Sequence, residues 1–356
     1  MLTIRGNMNF STTTLHRAFT TSALTAAVAI GSVLAAPAQA QAQSINGAGA
    51  TFPAPLYERY AREVRKKFPS MKVNYQAIGS GGGIRQTIAG TVDFGASDAA
   101  MTDADMDKVK NGVILVPTAG GAVSVVYNVP GVNNLRLSRG TLPAVFSGQI
   151  TNWNDPKIKA DNPGVNLPNQ PIRFAVRADG SGTTFIFTNH LSSISPYFKG
   201  RIGTGTAPKW TLPNVLKGKG NPGVAAIVAR TPGSIGYVEY SYATQNRLRS
   251  AQLQNKSGEF VSPSLQSANT ALSSVNFPSN YRTFVGDPEK GYPIVGLTWM
   301  MVYKQYPNAA KSEAVKKWIN WVLTDGQQFN DDLNYTRIPS AVANRVLQTV
   351  NGTVKP

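Results

Sequence analysis

Leu56, Tyr60, Val64 and Phe68 recur every four residues in PAPLYERYAREVRKKF (53–68), and Arg59, Arg62, Arg65 and Lys66 fill positions between them. This spacing predicts a helix with one face on a core and a basic face in water. In MKVNYQAI (71–78) Met71, Val73, Tyr75 and Ala77 alternate with polar neighbours, which predicts a strand. GSGGGIRQTIAG (79–90) returns to helix after a glycine turn, and VDFGASD (92–98) reads as strand and loop. Further along, GGAVSVVYNV (120–129) predicts a buried strand, GVAAIVART (223–231) a helix, and SIGYVEYSY (234–242) a strand entered through Pro232 and Gly233. In KSEAVKKWINWVL (311–323), Val315, Trp318, Ile319 and Val322 lie at helical spacing and predict a packed face. Ser250–Ser274 is polar and of mixed period, which reads as surface loop and weak helix. Strand and helix in alternation predict an α/β fold whose sheets are covered on both faces.

Single cores stop growing at roughly 250 to 300 residues, so a chain of 356 residues predicts two lobes. The apolar strands Ala122–Val129 and Ile294–Tyr303 bracket a middle section rich in glycine and proline turns and are the natural crossings. The expected division is 43–125 with 297–356 as lobe I and 126–296 as lobe II. The first 42 residues are of another kind. No charged residue stands between Arg17 and Glu58, and Ala23–Ala36 is an apolar run too short to span a bilayer. Ala38-Gln39-Ala40 then supplies a small-x-small cleavage pattern, so 1–42 reads as a secretory signal cut near 40–42, with Met8 as an alternative start. No later run approaches the roughly 20 apolar residues of a transmembrane helix.

The absence of cysteine removes disulfides, zinc–thiolate sites, a thiol nucleophile and a lipid-bearing cysteine. Taking Arg5 and Arg17 of the leader from a formal net charge of +17 leaves +15, enough to steer an anion or attach the protein to a polyanionic surface. Four short stretches concentrate donors: GAGATF (47–52), GSGGG (79–83), GASDA (95–99) and ADGSGTT (178–184). At the carboxyl ends of strands such loops line a ligand crevice, and the helix N-termini after them offer unpaired N–H groups. In VRADGSGTTF (176–185), Arg177, Ser181, Thr183 and Thr184 are donors, and Asp179 stands where it orients the guanidinium; the ligand expected is an anion. Enzyme signatures are missing. No glycine loop is followed by the lysine of a Walker A motif, and no Gly-x-Ser-x-Gly elbow occurs. His190 is the only histidine beyond the leader, and the pairs Asp103/Asp105 and Asp331/Asp332 sit in polar clusters that read as solvated surface.

GAGATFPAPLY, YQAIGSGGGIRQ, VDFGASDA, VRADGSGTTFIF, KGKGNPGVAAIV and PGSIGYVEYSYA, in this order from about Ile45 onward, together resemble the phosphate-binding proteins of high-affinity phosphate ABC transporters. The resemblance implies a two-lobed periplasmic-binding fold of type II, each lobe a mixed sheet flanked by helices, joined by a two-stranded hinge. It implies a monomer in the periplasm that closes on inorganic phosphate and hands it to a membrane-embedded ABC permease, with no cofactor, metal, catalytic residue or specific nucleic-acid ligand. Carried over residue by residue, it gives Thr51 a donating hydroxyl, Phe52 a donating backbone N–H and Ser80 a donor at a helix N-terminus. Asp98 would accept the ligand's own proton. Arg177 would give paired N–H bonds, Asp179 would hold Arg177, and Ser181, Gly182 and Thr183 would complete the cage. Two other readings stand beside it: a secreted phosphatase-like phosphoester hydrolase on the same scaffold, and a basic surface interaction protein.

Overall fold

The computed structural model describes residues 43–356, and the signal segment expected over 1–42 lies outside the described residues. In chain order the first part holds β1 (Gln43–Gly49), α1 (Ala54–Lys67), β2 (Met71–Ala77), α2 (Ser80–Ala89), β3 (Phe94–Ser97), α3 (Asp103–Met106) and β4 (Val113–Asn128). The middle holds β5 (Arg136–Leu137), α4 (Thr141–Phe146), α5 (Pro156–Asp161), β6 (Arg173–Arg177), α6 (Gly182–Ile194), α7 (Pro196–Arg201), β7 (Val215–Gly218), α8 (Gly220–Arg230), β8 (Ser234–Glu239) and α9 (Tyr240–Gln245). Then follow β9 (Arg249–Ser250), β10 (Gln252–Gln254), β11 (Phe260–Val261), α10 (Leu265–Leu272), β12 (Val295–Tyr303), α11 (Ala309–Leu323) and α12 (Ser340–Thr353).

The main sheet runs β2-β1-β3-β12-β4-β8-β6-β7, with β9 added against β4. At one end β1 is parallel to both β2 and β3, and at the other β6 is parallel to β7 and β8. Each parallel set needs helical crossovers, which bury its strands on both faces. Between the sets, β4 pairs antiparallel with β12 through Val113–Ala122 and with β8 through Val123–Asn128. One strand thus serves both halves, and its change of partner falls between Ala122 and Val123. The Val123 N–H then donates to Ile294 O at 2.8 Å, just ahead of β12.

The expected amphipathic stripes are core faces. Leu56, Tyr60 and Val64 of α1 are buried, as are Val315, Trp318, Ile319 and Val322 of α11. Trp318 stands edge-on to Tyr60 and Trp321 stacks on Trp318, so the two helices share an aromatic cluster. Phe68, at the end of the α1 stripe, is half-buried under the Lys317 ammonium, 3.8 Å from its ring centroid.

Three local expectations need correcting. The strand expected over Ala122–Val129 begins at Val113, because VILVPTAG is as apolar and as buried as the segment after it. Thr118 is bulged out of register there, beside Pro117, which lacks the N–H a regular ladder needs. SIGYVEYSY is strand only to Glu239, whose carboxylate accepts the Ser241 N–H at 3.0 Å and caps α9. The segment 250–274 is more ordered than a loop. Its strands β10 and β11 join β5 in a small sheet, and α10 follows behind a Ser264/Ser267 capping box.

Candidate functional site

The carboxyl ends of β1, β2 and β3 and those of β6 and β7 face one another across the point where β4 changes partner, and the loops that follow carboxyl ends of strands are where open α/β sheets gather ligand groups. Helices α1, α2, α6 and α8 begin in these loops. Thr51 and Phe52 lie between β1 and α1, Ser80 opens α2, Asp98 follows β3, and Arg177 ends β6. Asp179 and Ser181 lead into α6, where Gly182 and Thr183 are the first residues. Each of the eight expected ligand groups is buried, although the segments that carry them lie far apart in sequence.

The glycine loops meet face to face. Gly81 N–H donates to Gly180 O at 2.9 Å, and Gly182 N–H to Ser80 Oγ at 3.0 Å. A Cβ at Gly182 would fall 2.5 Å from Asp98 Cβ, Asp98 Oδ2 and Ser80 Oγ, so only glycine permits this approach. Gly79 is constrained twice over, by φ +87° and by Asp179 Oδ2, which would stand 2.2 Å from an added Cβ.

Arg177 gives its Nε–H and an Nη2–H to the two oxygens of Asp179, at 2.9 and 2.6 Å. The Gly220 N–H adds a bond to Asp179 Oδ1 at 2.9 Å. Burial pushes the Asp179 carboxyl up, but Arg177 and the Gly220 N–H outweigh it and hold the group below its ordinary value. The carboxylate fixes the near side of the guanidinium fork, and Nη1, 3.5 Å from Thr183 Oγ1, is left on the far side. Ser181 caps α6, its Oγ accepting the Thr184 N–H at 3.0 Å. Its hydroxyl proton remains to be given.

Asp98 is the exception among the donors. Thr298 donates to its Oδ1 at 2.8 Å, Ser80 approaches its Oδ2 at 3.5 Å, and its N–H donates to Ser80 Oγ at 3.2 Å. Burial pushes its carboxyl up to about 7, against the opposing pull of Thr298, Arg177 and Ser80. The carbonyls of Thr51 and Phe52 are both engaged: Tyr242 donates to Thr51 O at 2.7 Å and Tyr335 to Phe52 O at 2.6 Å. In a trans peptide the N–H points opposite the carbonyl, so anchoring Thr51 O aims the Phe52 N–H the other way.

Sequence reasoning assigned no role to Asn221, Glu239, Tyr242, Thr298 or Tyr335. Asn221, Glu239 and Tyr242 stand within stretches that carry the resemblance but not at positions it gives a role, and Thr298 and Tyr335 lie in segments with no local signature. Glu239 is buried, its Oε2 lies 2.9 Å from the Tyr335 hydroxyl, and it is pushed up to about 8 by that burial, with Ser241 and Tyr335 pulling the other way. A carboxyl raised in the fold contributes stability that is full below its unfolded value and is lost as pH rises through about 8. Asp98 acts in the same direction up to about 7. Glu239→Gln should therefore reduce the loss of thermal stability between pH 5 and pH 9 by on the order of 1 to 3 kcal/mol. Melting curves with the same pH dependence in both proteins would remove Glu239 from this account.

His190 and the aspartate pairs, read from the sequence as having no site role, lie elsewhere. His190 is buried in α6, its Nδ1 2.8 Å from Gly286 O, and burial lowers it to about 4, which keeps the ring neutral. Asp103 pairs with Arg282, Asp105 with Lys108 and Asp331 with Arg337. Among the described residues no group of three or more His, Asp or Glu side chains is placed to hold a metal, and no helix is long and apolar enough to cross a membrane.

Comparisons with known proteins agree with this architecture. The model of the PBP superfamily domain matches residues 35–326. The phosphate-binding protein PstS of Haemophilus influenzae is 41% identical over 313 residues, covering 86% of this chain and 92% of the relative. PstS of Methanocaldococcus jannaschii is 34% identical, covering 86% and 85%. A high-affinity periplasmic phosphate-binding protein, PfluDING, solved with phosphate bound at pH 8.5, superposes with a TM-score of 0.71 at 20% identity, covering 88% of this chain and 99% of its own. A phosphate-binding protein from Stenotrophomonas maltophilia gives 0.71 at 20% identity, covering 86% and 93%. The fold and the matched model make this chain a member of the PBP superfamily, with the two-lobed α/β architecture of that class. Within that class it belongs to the family of the PstS phosphate-binding proteins, to which identities of 34 to 41% over most of its length tie it.

Proposed function

We propose that the protein is a periplasmic solute-binding protein that captures inorganic phosphate in the cleft and delivers it to a membrane-embedded ABC permease. It acts as a monomer and without catalysis. The observation that carries this reading is the convergence of buried donors from three loops around the buried carboxylate of a fourth, Asp98. Thr51, Phe52, Ser80, Arg177, Ser181, Gly182 and Thr183 donate to phosphate oxygens, Asp98 accepts from the proton of hydrogen phosphate, and Asp179 holds Arg177. Donors preset on helix N-termini need little reorganisation when the anion enters. The relatives named above, called phosphate-binding proteins, support the choice of ligand.

The two lobes are 43–125 with 297–356, and 126–296. The exchange of partners along β4 and the Val123–Ile294 bond support a hinge there. Closure on phosphate then brings Gly182 against Ser80 and Asp98. Calorimetric titration of the leaderless protein, stripped of ligand by unfolding and refolding, should give one tight phosphate site, with sulfate much weaker. Solution scattering should show the radius of gyration falling as phosphate is added. Equal affinity for the two anions would defeat the reading.

Gly182→Ala tests closure itself. The added methyl has no room between Asp98 and Ser80, so phosphate affinity should fall roughly tenfold to a hundredfold while thermal stability is kept. Scattering should show a smaller contraction. Native affinity in this variant would mean that the two glycine loops do not meet in the bound state.

A further inference from the structure

Asn221, near the start of α8, is fully buried. Its Oδ1 accepts the Glu239 N–H at 3.0 Å, and since a backbone N–H can only donate, this bond settles which way the amide faces. Nδ2 therefore points the other way, donating to Thr51 Oγ1 at 2.9 Å and to Thr183 Oγ1 at 3.1 Å. The Asn221 backbone N–H makes a second bond to Thr51 Oγ1 at 3.1 Å, and Arg177 Nη1 makes a second to Thr183 Oγ1 at 3.5 Å.

A hydroxyl has two lone pairs and one proton. With both lone pairs engaged, each threonine has only its proton left to give, and neither oxygen donates to any described residue. We propose that Asn221 is a specificity-determining positioning residue that makes the Thr51 and Thr183 hydroxyls obligate donors toward an acceptor-rich anion. The inference rests on the phosphate-binding reading. A hydroxyl free to rotate would serve a solute that donates as well as one that accepts; these two serve only acceptors. Thr51 stands in the β1–α1 loop, whereas Thr183 and Asn221 stand in α6 and α8. One side-chain amide thus sets the proton direction of donors from separate loops.

The test is phosphate titration by calorimetry, with a melting curve for each protein. Asn221→Ala should weaken phosphate binding about tenfold or more when both threonines are present. In a Thr51→Val/Thr183→Val background the same substitution should change affinity by less than about twofold, because no hydroxyls remain to be oriented. A purely structural role would give equal losses in the two backgrounds; that result, or native affinity in Asn221→Ala, overturns the proposal. Should Asn221→Ala fail to fold, Asn221→Asp keeps the acceptor for the Glu239 N–H and replaces the donor by an acceptor that draws both hydroxyl protons inward. Its affinity should fall at least about a hundredfold, and native affinity there also overturns the proposal. A wild-type protein that binds no phosphate fails at the earlier step, and the wild-type titration separates that outcome from the others.

Discussion

Arg177→Ala should cost about 2 to 5 kcal/mol of phosphate affinity, roughly a 30-fold to several-thousand-fold rise in Kd. The loss has two sources. On the proposed reading the guanidinium gives charge-assisted bonds matched to a tetrahedral oxyanion, and it is almost wholly buried, where such bonds are least screened. Removing it also strands Asp179, whose two oxygens now accept from Arg177 and whose remaining partner is the Gly220 N–H. An unpaired carboxylate is then left beside the bound anion. Arg177→Lys should recover only part of the loss, since an ammonium cannot span both oxygens of Asp179 and still present a fork to the ligand. Calorimetry at fixed ionic strength checks both variants. An Arg177→Ala protein that binds phosphate as the wild type does would put the guanidinium outside the site.

The parts of this site that could be read from the chain are those with a local signature. A glycine loop between a strand and a helix marks a helix N-terminus near a ligand crevice, and Ser181 was read from such a loop, whereas the roles of Thr51 and Ser80 came with the resemblance. The helices α1 and α11 and the strands β2 and β12 were equally legible, because their apolar spacing follows from which face is buried. Groups that act across the fold carry no such mark. Thr298 reaches Asp98 from 200 positions away, and Tyr335 reaches Phe52 from 283. Each is an ordinary residue in its own segment until the sheet brings β3 beside β12 and the chain after α11 against the β1–α1 loop. The length of β4 was hidden for a different reason. Pro117 looks like a strand break, yet the strand carries it through with a bulge and goes on to a change of partner. Short strands such as β10 and β11 lie in polar sequence, where only their neighbours decide the conformation.

Asp98→Asn should move selectivity more than phosphate affinity. Thr298 donates to Oδ1, so in the variant the amide oxygen keeps that bond and Nδ2 takes the place of Oδ2, toward Ser80 and the ligand. A carboxylate there opposes any anion that brings no proton. Sulfate is such an anion near neutral pH, whereas hydrogen phosphate donates its proton and gains a charge-assisted bond. Exchanging acceptor for donor should therefore strengthen sulfate relative to phosphate by about 2 to 4 kcal/mol, a change of roughly 30- to 1000-fold in the affinity ratio. The raised Asp98 carboxyl adds a pH dependence whose sign is fixed. Below about 7 it carries its own proton and can donate to sulfate, so wild-type discrimination should narrow as pH falls from 8.5 toward 6. The asparagine protein lacks that titration, and its smaller discrimination should vary less over the same range. Competition titrations of phosphate against sulfate at several pH values decide the matter. A variant that rejects sulfate as strongly as the wild type at pH 8 would mean that the buried carboxylate does not read the ligand's proton, and selectivity would have to come from the donors alone.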